Sequence, residues 1–202
     1  MSAIDSQTVG NSETFRSLDD LKASLAQLKR PKDRGQVRLL MIRGEGGRRV
    51  ALEEARLDPD LGMAGDAWGR AKDPRPDMQI AVMEAGVARL IANGQPLELF
   101  GDCLMLDLDL SRENLPPGSL VRVGQALLEV TPMPHNGCSK FQARFGKEAL
   151  RFVVMKELRH NNLRGTYMRV IEGGSVRLGD RADVVARPAA AAGTEPLASA
   201  AG

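Results

Sequence analysis

The sequence predicts a mainly β fold with a few short helices, closed into a barrel or strongly curved. Three observations carry that reading. Short apolar runs of period two recur through the central and C-terminal parts, Gly- or Pro-containing turns separate them, and helical periodicity surfaces in only a few places. Many short strands make many unpaired edges, and closure removes edges.

Taken in order, residues 1–16 are polar and irregular and are expected to lack fixed structure. Leu18, Leu21, Leu25 and Leu28 then recur at helical spacing. Ser17 with Asp20 forms a capping-box pattern, and Lys29-Arg30-Pro31 ends the helix. Val37, Leu39 and Met41, then Val50 and Leu52, read as a hairpin turned at residues 44–47. Residues 85–93 carry Val87, Leu90 and Ile91 on one side and stop at Gly94. Leu104, Leu106, Leu108 and Leu110 alternate with Cys103, Met105, Asp107 and Asp109 as a half-buried strand, broken by Pro116-Pro117-Gly118. Strands over 120–123 and 126–131 meet at Gly124-Gln125. Phe141 and Phe145 begin a helical region that Leu150, Val153, Val154 and Leu158 continue past Gly146. A last pair of strands, 166–171 and 175–185, turns at Gly173-Gly174. The organisation expected is an N-terminal extension with one amphipathic helix (1–35), a barrel domain (36–186) and a disordered tail (187–202).

Composition narrows the function. The 202 residues carry 28 Lys and Arg against 26 Asp and Glu, a net of +2, so no broad field exists to hold nucleic acid or an anionic membrane. One Trp, one Tyr and five Phe are too few for a base-stacking surface. No stretch approaches the roughly 20 apolar residues of a membrane span, and residues 1–9 lack the pattern of a signal peptide. Two cysteines make at most one bridge, which points to a reduced, cytoplasmic setting.

Most familiar enzyme signatures are absent: the sequence contains no Gly-x-Ser-x-Gly, His-Glu-x-x-His or Cys-x-x-Cys. Gly-Asp occurs at Asp66, Asp102 and Asp180, and turn chemistry explains Asp102 and Asp180. The one dense constellation is Thr131-Pro132-Met133-Pro134-His135-Asn136-Gly137-Cys138-Ser139-Lys140. Its prolines stiffen a strand exit, Gly137 permits an unusual backbone angle, and Cys138 arrives where a helical turn begins. Free amides there, with Lys140 and Arg144 near, favour negative charge on sulfur, the form that acts as nucleophile and soft metal ligand. His135 is placed to shuttle a proton or hold a ligand. The plainer alternative is an inert loop cysteine, and spacing alone does not decide between the two. Cys103 reads as a small strand residue, and Cys103, His135, Cys138 and His160 contain only one closely spaced pair, which argues against zinc. Arg164, Arg169 and Arg177 read as solvated charges unless an anion lies near.

Gly101-Asp102-Cys103-Leu104, the stretch 107–118, Pro134-His135-Asn136-Gly137-Cys138-Ser139-Lys140-Phe141 with Arg144-Phe145-Gly146, and Leu163-Arg164-Gly165 with Gly179-Asp180 resemble a MOSC-domain protein from about residue 36 to 186. Gly62-Met63-Ala64-Gly65-Asp66-Ala67-Trp68 looks like that family's early Gly-Asp element. The resemblance implies a barrel similar to the β-barrel domain of pyruvate kinase that binds the molybdenum cofactor, a molybdopterin. Cys138 would then carry sulfur as a persulfide or ligate molybdenum, Lys140, Arg144 and Arg164 would contact the pterin phosphate, and His135 and Asn136 would hydrogen-bond the ligand. Cys103 stands where the family usually has Asn, Ala67 where it often has a basic residue and Val154 where it commonly has Asn. Each replacement removes polar atoms that Cys, Ala or Val does not supply.

Two activities follow from the resemblance. One is a sulfur carrier served by a cysteine desulfurase or sulfurase, the other a molybdenum-binding reductase component for N-hydroxylated compounds, fed by an electron-donor protein because two cysteines hold no four-cysteine cluster. Intrinsic pyridoxal phosphate chemistry is not expected, since the family's Schiff-base lysine lies in a separate domain. The rival reading is a non-catalytic adaptor or degenerate domain that binds a partner through the helix of Leu18 to Leu28.

Overall fold

The computed structural model describes residues 3–189. Strands and helices follow in the order β1 (Ala3–Ile4), α1 (Leu18–Gln27), β2 (Arg34–Arg43), β3 (Arg49–Leu52), β4 (Glu54–Asp58), β5 (Gly62–Met63), β6 (Ile80–Glu84), α2 (Ala85–Ala92), β7 (Leu104–Leu106), β8 (Leu120–Val123), β9 (Ala126–Pro134), α3 (Ser139–Phe145), α4 (Lys147–Val154), β10 (Thr166–Glu172), β11 (Gly174–Arg177) and β12 (Arg181–Ala186). Seven of the strands close a barrel in the order β2-β12-β8-β9-β10-β6-β7, the ring completed by β7 on β2. Its length lets β2 serve three neighbours: Gln36 pairs in β12, Val37, Leu39 and Leu40 pair in β7, and Leu40 to Arg43 pair in β3. Outside the ring, β4 pairs with β11 and β5.

Every junction of the ring is antiparallel except β6 with β7. A parallel pair needs a crossover, and α2 supplies part of it. β6 is therefore covered on both faces: Val82 joins the barrel interior, while Met83 joins a second core under the helices. All five of its residues are buried and the first four, Ile80 to Met83, form a continuous apolar run rather than an alternating one, so period two does not reveal it. The same cover corrects the half-buried strand expected over 104–110. Only Leu104–Leu106 pair as strand, Met105 is as buried as its leucine neighbours, and Leu108 and Leu110 stay buried after the ladder ends.

Helices α1 to α4 pack on one wall through Leu21, Met83, Ile91, Met105, Phe141, Phe145 and Phe152. Phe100 stacks on Phe145 with ring centroids 4.1 Å apart. Ser17 caps α1, its Oγ accepting from the Asp20 amide at 3.1 Å and donating to the Asp20 carboxylate at 2.7 Å. Leu21 is fully buried, and Leu18, Leu25 and Leu28 pack against the same core. The leucine stripe faces inward, so the adaptor reading loses the surface it was built on. The helical region that begins at Phe141 divides at Gly146, whose φ of +90° suits glycine and lets the chain turn from α3 into α4.

The irregular N-terminal segment expected from composition is instead tied down. Ala3 and Ile4 pair with Val50 and Arg49, Gly10 donates to the Ala143 carbonyl at 3.1 Å, and the Asn11 amide donates to Gln95 Oε1 at 2.8 Å. Arg187, assigned to the tail, donates to the Asn114 carbonyl at 2.7 Å and pairs with Asp33 at 2.9 Å. The rest of that expected tail, 190–202, lies outside the described residues. Among the described residues no helix is long and apolar enough to cross a membrane.

Candidate functional site

Pro134, Thr166, Val82 and Leu104 are successive cross-strand partners, which sets the end of β9, the start of β10, the middle of β6 and the start of β7 on one rung. Residues just beyond these strand ends meet on the helix-covered wall. Arg164 reaches from the turn before β10 to Asp102, before β7, its Nη1 2.9 and 2.8 Å from the two carboxylate oxygens. Nη2 donates to the Phe100 carbonyl at 3.3 Å, and the guanidinium lies 5.4 Å from the Phe141 ring centroid. Gly165 permits this path, because a Cβ there would stand 2.2 Å from the Val82 carbonyl oxygen. His135, first residue after β9, packs against Tyr167 with ring centroids 4.5 Å apart and the planes tilted by 34°. Its Nδ1 stands 3.4 Å from Asp102 Oδ1, and among the described residues neither that nitrogen nor Arg164 Nε has a hydrogen-bond partner.

Electrostatics follow from burial. The Asp102 side chain is 0% exposed and that of Arg164 9%. Burial raises the Asp102 carboxyl above its usual value while Arg164, then Arg43 and Arg49, pull it down. Burial is the larger effect and leaves the carboxyl raised, with Arg164 Nη1 in contact with both of its oxygens. Burial pushes the His135 imidazole well below its ordinary value, and the Arg164 and Arg43 charges push the same way, so the ring is neutral at pH 7. Next to this group, Asp66 accepts from Arg43 Nη2 at 2.6 Å and from the Arg43 and Trp68 amides at 2.7 and 2.9 Å. Burial alone would raise Asp66, but Arg43 and those amides outweigh it and hold the carboxyl low.

A cavity of about 340 Å³ opens beside the group, lined by His135, Asn136 and Arg164 together with Arg112, Arg159 and Asn162. Pro134, Val153, Val154 and Leu163 complete its wall. The position where the family commonly has Asn thus presents Val154, 44% exposed, to this cavity. Cys138 is exposed two residues after Asn136, at the start of α3, in extended conformation and with its side chain making no capping bond. Gly137 does not take the unusual backbone angle expected of it. It lies close against α4, where a Cβ would stand 2.5 Å from Leu150 Cδ1 and 3.3 Å from Val153 Cγ2, so a larger residue would have to displace the Leu150 side chain.

His135, Asn136 and Arg164 are therefore brought together, with Cys138 on the same loop, whereas Lys140 and Arg144 do not line the cavity. The anion contact expected of Arg144 is replaced by a different task. Its buried guanidinium donates to the carbonyls of Leu99 at 3.1 Å, Ser6 at 2.8 Å and Thr8 at 3.4 Å, fastening the N-terminal segment to α3. Cys103 is fully buried and its thiol is pushed up to about 12, first by burial. Asp180 accepts from the Arg177 amide at 2.8 Å, which is turn chemistry, but Asp102 is the buried counter-charge of the site. Sequence reasoning missed Asp102, Arg112, Arg159 and Asn162. Gly-Asp is a common turn pair, and Arg112 and Arg159 are exposed arginines, one on a turn and one in a short 3-10 helix (Lys156–Asn161), far apart in the chain. Among the described residues no group of three or more His, Cys, Asp or Glu is arranged to hold a metal ion.

A closed β-barrel with a buried Asp-Arg-His group beside an arginine-lined cavity, and an exposed thiol on the loop that follows His135 and Asn136 but outside the cavity lining, defines the class of protein: a small barrel domain with a polar, cation-lined cavity. The chain belongs to the MOSC domain family, whose model matches residues 80–183. That family is associated with molybdenum-cofactor binding and sulfurase-like function. Among solved structures the chain is similar to the YuaD protein from Bacillus subtilis, at 16% identity and a TM-score of 0.54, over 75% of this chain and 95% of that one. It is also similar to a hypothetical protein at 19% identity and a TM-score of 0.54, over 76% and 70%. At such identities the likeness shows the fold. A search of curated proteins finds no match.

Proposed function

We propose that this protein binds the molybdenum cofactor, a molybdopterin, beside Cys138, and acts in sulfur transfer or as the molybdenum-binding component of a reductase of N-hydroxylated compounds. The observation that carries the reading is the exposed Cys138 on the same short loop as His135 and Asn136, which line the arginine-bearing cavity of a MOSC chain.

The residues present fit such a ligand. Arg164 Nε and His135 Nδ1 are buried polar atoms without a partner among the described residues, and His135, Asn136 and Arg164 offer donors and acceptors for a polar heterocycle with an anionic tail. When bound, the cofactor supplies redox chemistry at molybdenum, which no protein side chain provides. What this chain contributes is its own. Cys138 presents a soft sulfur that either ligates the metal or holds one sulfane sulfur, taken from a partner's persulfide and passed on with no net oxidation. His135, neutral in its buried setting, offers one donor and one acceptor nitrogen, and Asp102 fixes Arg164 beside it. Arg144 holds α3 and so the start of the helix at Cys138. The partner is a cysteine desulfurase or sulfurase for sulfur transfer, or an electron-donor reductase protein, with a cytoplasmic location and no pyridoxal phosphate of its own.

The test is the molybdenum and pterin content of protein purified from cofactor-producing cells, wild type against Cys138→Ser, with mass spectrometry for a persulfide on Cys138. Cofactor lost in the variant supports ligation through the thiol, and a persulfide on Cys138 without bound cofactor supports sulfur transfer. Equal cofactor in both proteins and no persulfide would remove Cys138 from the function.

A further inference from the structure

The surface charge of this chain is unevenly placed. From Lys140 to Arg159 the surface carries Lys140, Lys147, Arg151, Lys156 and Arg159 against Glu148 and Glu157, a surplus of three positive charges in a chain whose whole net is +2. Acids at the borders do not cancel it. Glu113 pairs with Lys32 at 3.5 Å, and α1, which packs beside α4, sets Lys22 and the following Lys29 against Asp19 and Asp20. The one ion pair within the stretch, among the described residues, is Arg151 with Glu148 at 3.8 Å.

Helix α4 gives this charge a shape. Ala149, Phe152 and Val153 are its buried positions, while Lys147, Arg151 and Val154, four and then three residues apart, form one outward stripe. The 3-10 helix that follows continues it with Lys156 and Arg159. Val154 ends the stripe 44% exposed, an aliphatic side chain among cations that gains from being covered. The stripe also borders the Cys138 loop. A Cβ on Gly137 would stand 3.8 Å from Val154 Cγ1, Cys138 is exposed one residue later, and Lys140 follows in the first turn of α3. A body laid on α4 therefore lies beside the thiol without entering the cavity.

We infer that the outward face of α4 and the 3-10 helix after it form a docking surface for the acidic face of a partner protein, with Lys147, Arg151 and Lys156 supplying charge and Val154 an apolar contact. Glu148 and Glu157, set among the cations, suit a protein face with separate carboxylates better than the continuous phosphates of a nucleic acid or an anionic bilayer. The inference rests on the proposed function for the partner's task, delivery of sulfur or electrons beside Cys138. The docking itself needs neither the cofactor nor the thiol.

The test is titration of the nitrogen-15-labelled full chain with an acetylated, amidated peptide of six glutamates around a central leucine, followed by amide shifts at low ionic strength. Wild type is compared with Lys147→Glu, Lys156→Glu, their double variant, Val154→Ser, Cys138→Ser, and Lys22→Glu as a control for the same charge change on α1. Shifts are expected to centre on residues 147–159. Affinity should fall about threefold for each reversal and about tenfold for the double variant, and should weaken as salt is raised, with Cys138→Ser and Lys22→Glu within about 1.5-fold of wild type. Lys147, Val154 and Lys156 are exposed, so the fold survives their replacement, and unchanged thermal midpoints check this. Absence of binding, or an equal loss in Lys22→Glu, overturns the surface. Shifts confined to Asn136, Asn162 and their neighbours, and indifferent to Lys147→Glu, reveal an anion in the cavity and overturn it too. Vesicles of phosphatidylserine and phosphatidylcholine and a single-stranded oligonucleotide are run beside the peptide, and tighter, reversal-sensitive binding to either refutes a protein partner. Reversal-sensitive peptide binding by a chain whose Cys138 carries neither molybdenum nor persulfide upholds the docking surface and refutes the proposed function. Cofactor held through Cys138 in a chain that does not bind the peptide refutes the docking surface alone.

Discussion

Replacing Asp102 by Asn is expected to be among the most destabilising single changes in this chain, and the structure says by how much. Asn keeps the shape of the side chain but removes the charge that Arg164 Nη1 meets at 2.9 and 2.8 Å. With 0% of the Asp102 side chain and 9% of the Arg164 side chain exposed, water cannot take over the role of the lost carboxylate. Removing one partner of a buried pair costs about 3–5 kcal/mol, most of it the desolvation of the charge left behind. Arg43 and Arg49 lie close enough to pull on the Asp102 carboxyl, so they lose a counter-charge too and the upper half of that range is expected. For an unfolding slope of about 2 kcal/mol per molar urea, the midpoint falls by roughly 2 M. Pairing the change with Arg164→Met removes the orphaned cation and should recover about 2 kcal/mol or more of the loss. The assay is urea unfolding of wild type, both single variants and the double variant. A cost for Asp102→Asn below about 1 kcal/mol, or a double variant as unstable as the sum of the two singles, would refute a desolvated, coupled pair.

Three further outcomes follow from the same structure. A thiol reagent should titrate one cysteine per native chain, Cys138, and two after denaturation, because Cys103 is fully buried with its thiol pushed up to about 12; two fast-reacting native thiols would contradict this. Arg144→Gln should cost about 2–3 kcal/mol and open the first dozen residues to limited proteolysis, because the guanidinium holds the Ser6, Thr8 and Leu99 carbonyls; an unchanged cleavage pattern would show that the segment is held by other bonds. His135 has a folded-state pKa below its unfolded value, so the stability of its neutral form is present above about pH 6.5 and is lost as pH falls below it. His135→Asn should remove a slope of at most about 1.4 kcal/mol per pH unit from the curve between pH 6.5 and 5, and curves for variant and wild type that run parallel there would place the proton elsewhere.

Local periodicity revealed those elements that have one wet face. The α1 stripe, the hairpin around residues 44–47 and the turn at Gly124-Gln125 each bury one side and expose the other, which is what alternation records. β6 escaped because both its faces are covered, and the expected strand over 104–110 shortened because its ladder ends at Leu106 while burial continues. The N-terminal segment looked irregular because its polar residues are held through backbone groups, by the Ala143 carbonyl and the Arg144 guanidinium, and composition carries no trace of such bonds.

By itself the sequence determined the β-rich class, the turns, the inward-facing leucines of α1 and the loop that bears His135, Asn136 and Cys138, since spacing and residue type are local properties. Only the tertiary structure decided which charges share a cavity and which are already engaged. Arg164 finds Asp102, Arg144 finds three carbonyls, and Arg112 and Arg159, which make no ion pair among the described residues, line one cavity with His135. The physical reason is that burial and partner distance fix what a charge does, and both arise from closing the barrel on segments distant in the chain.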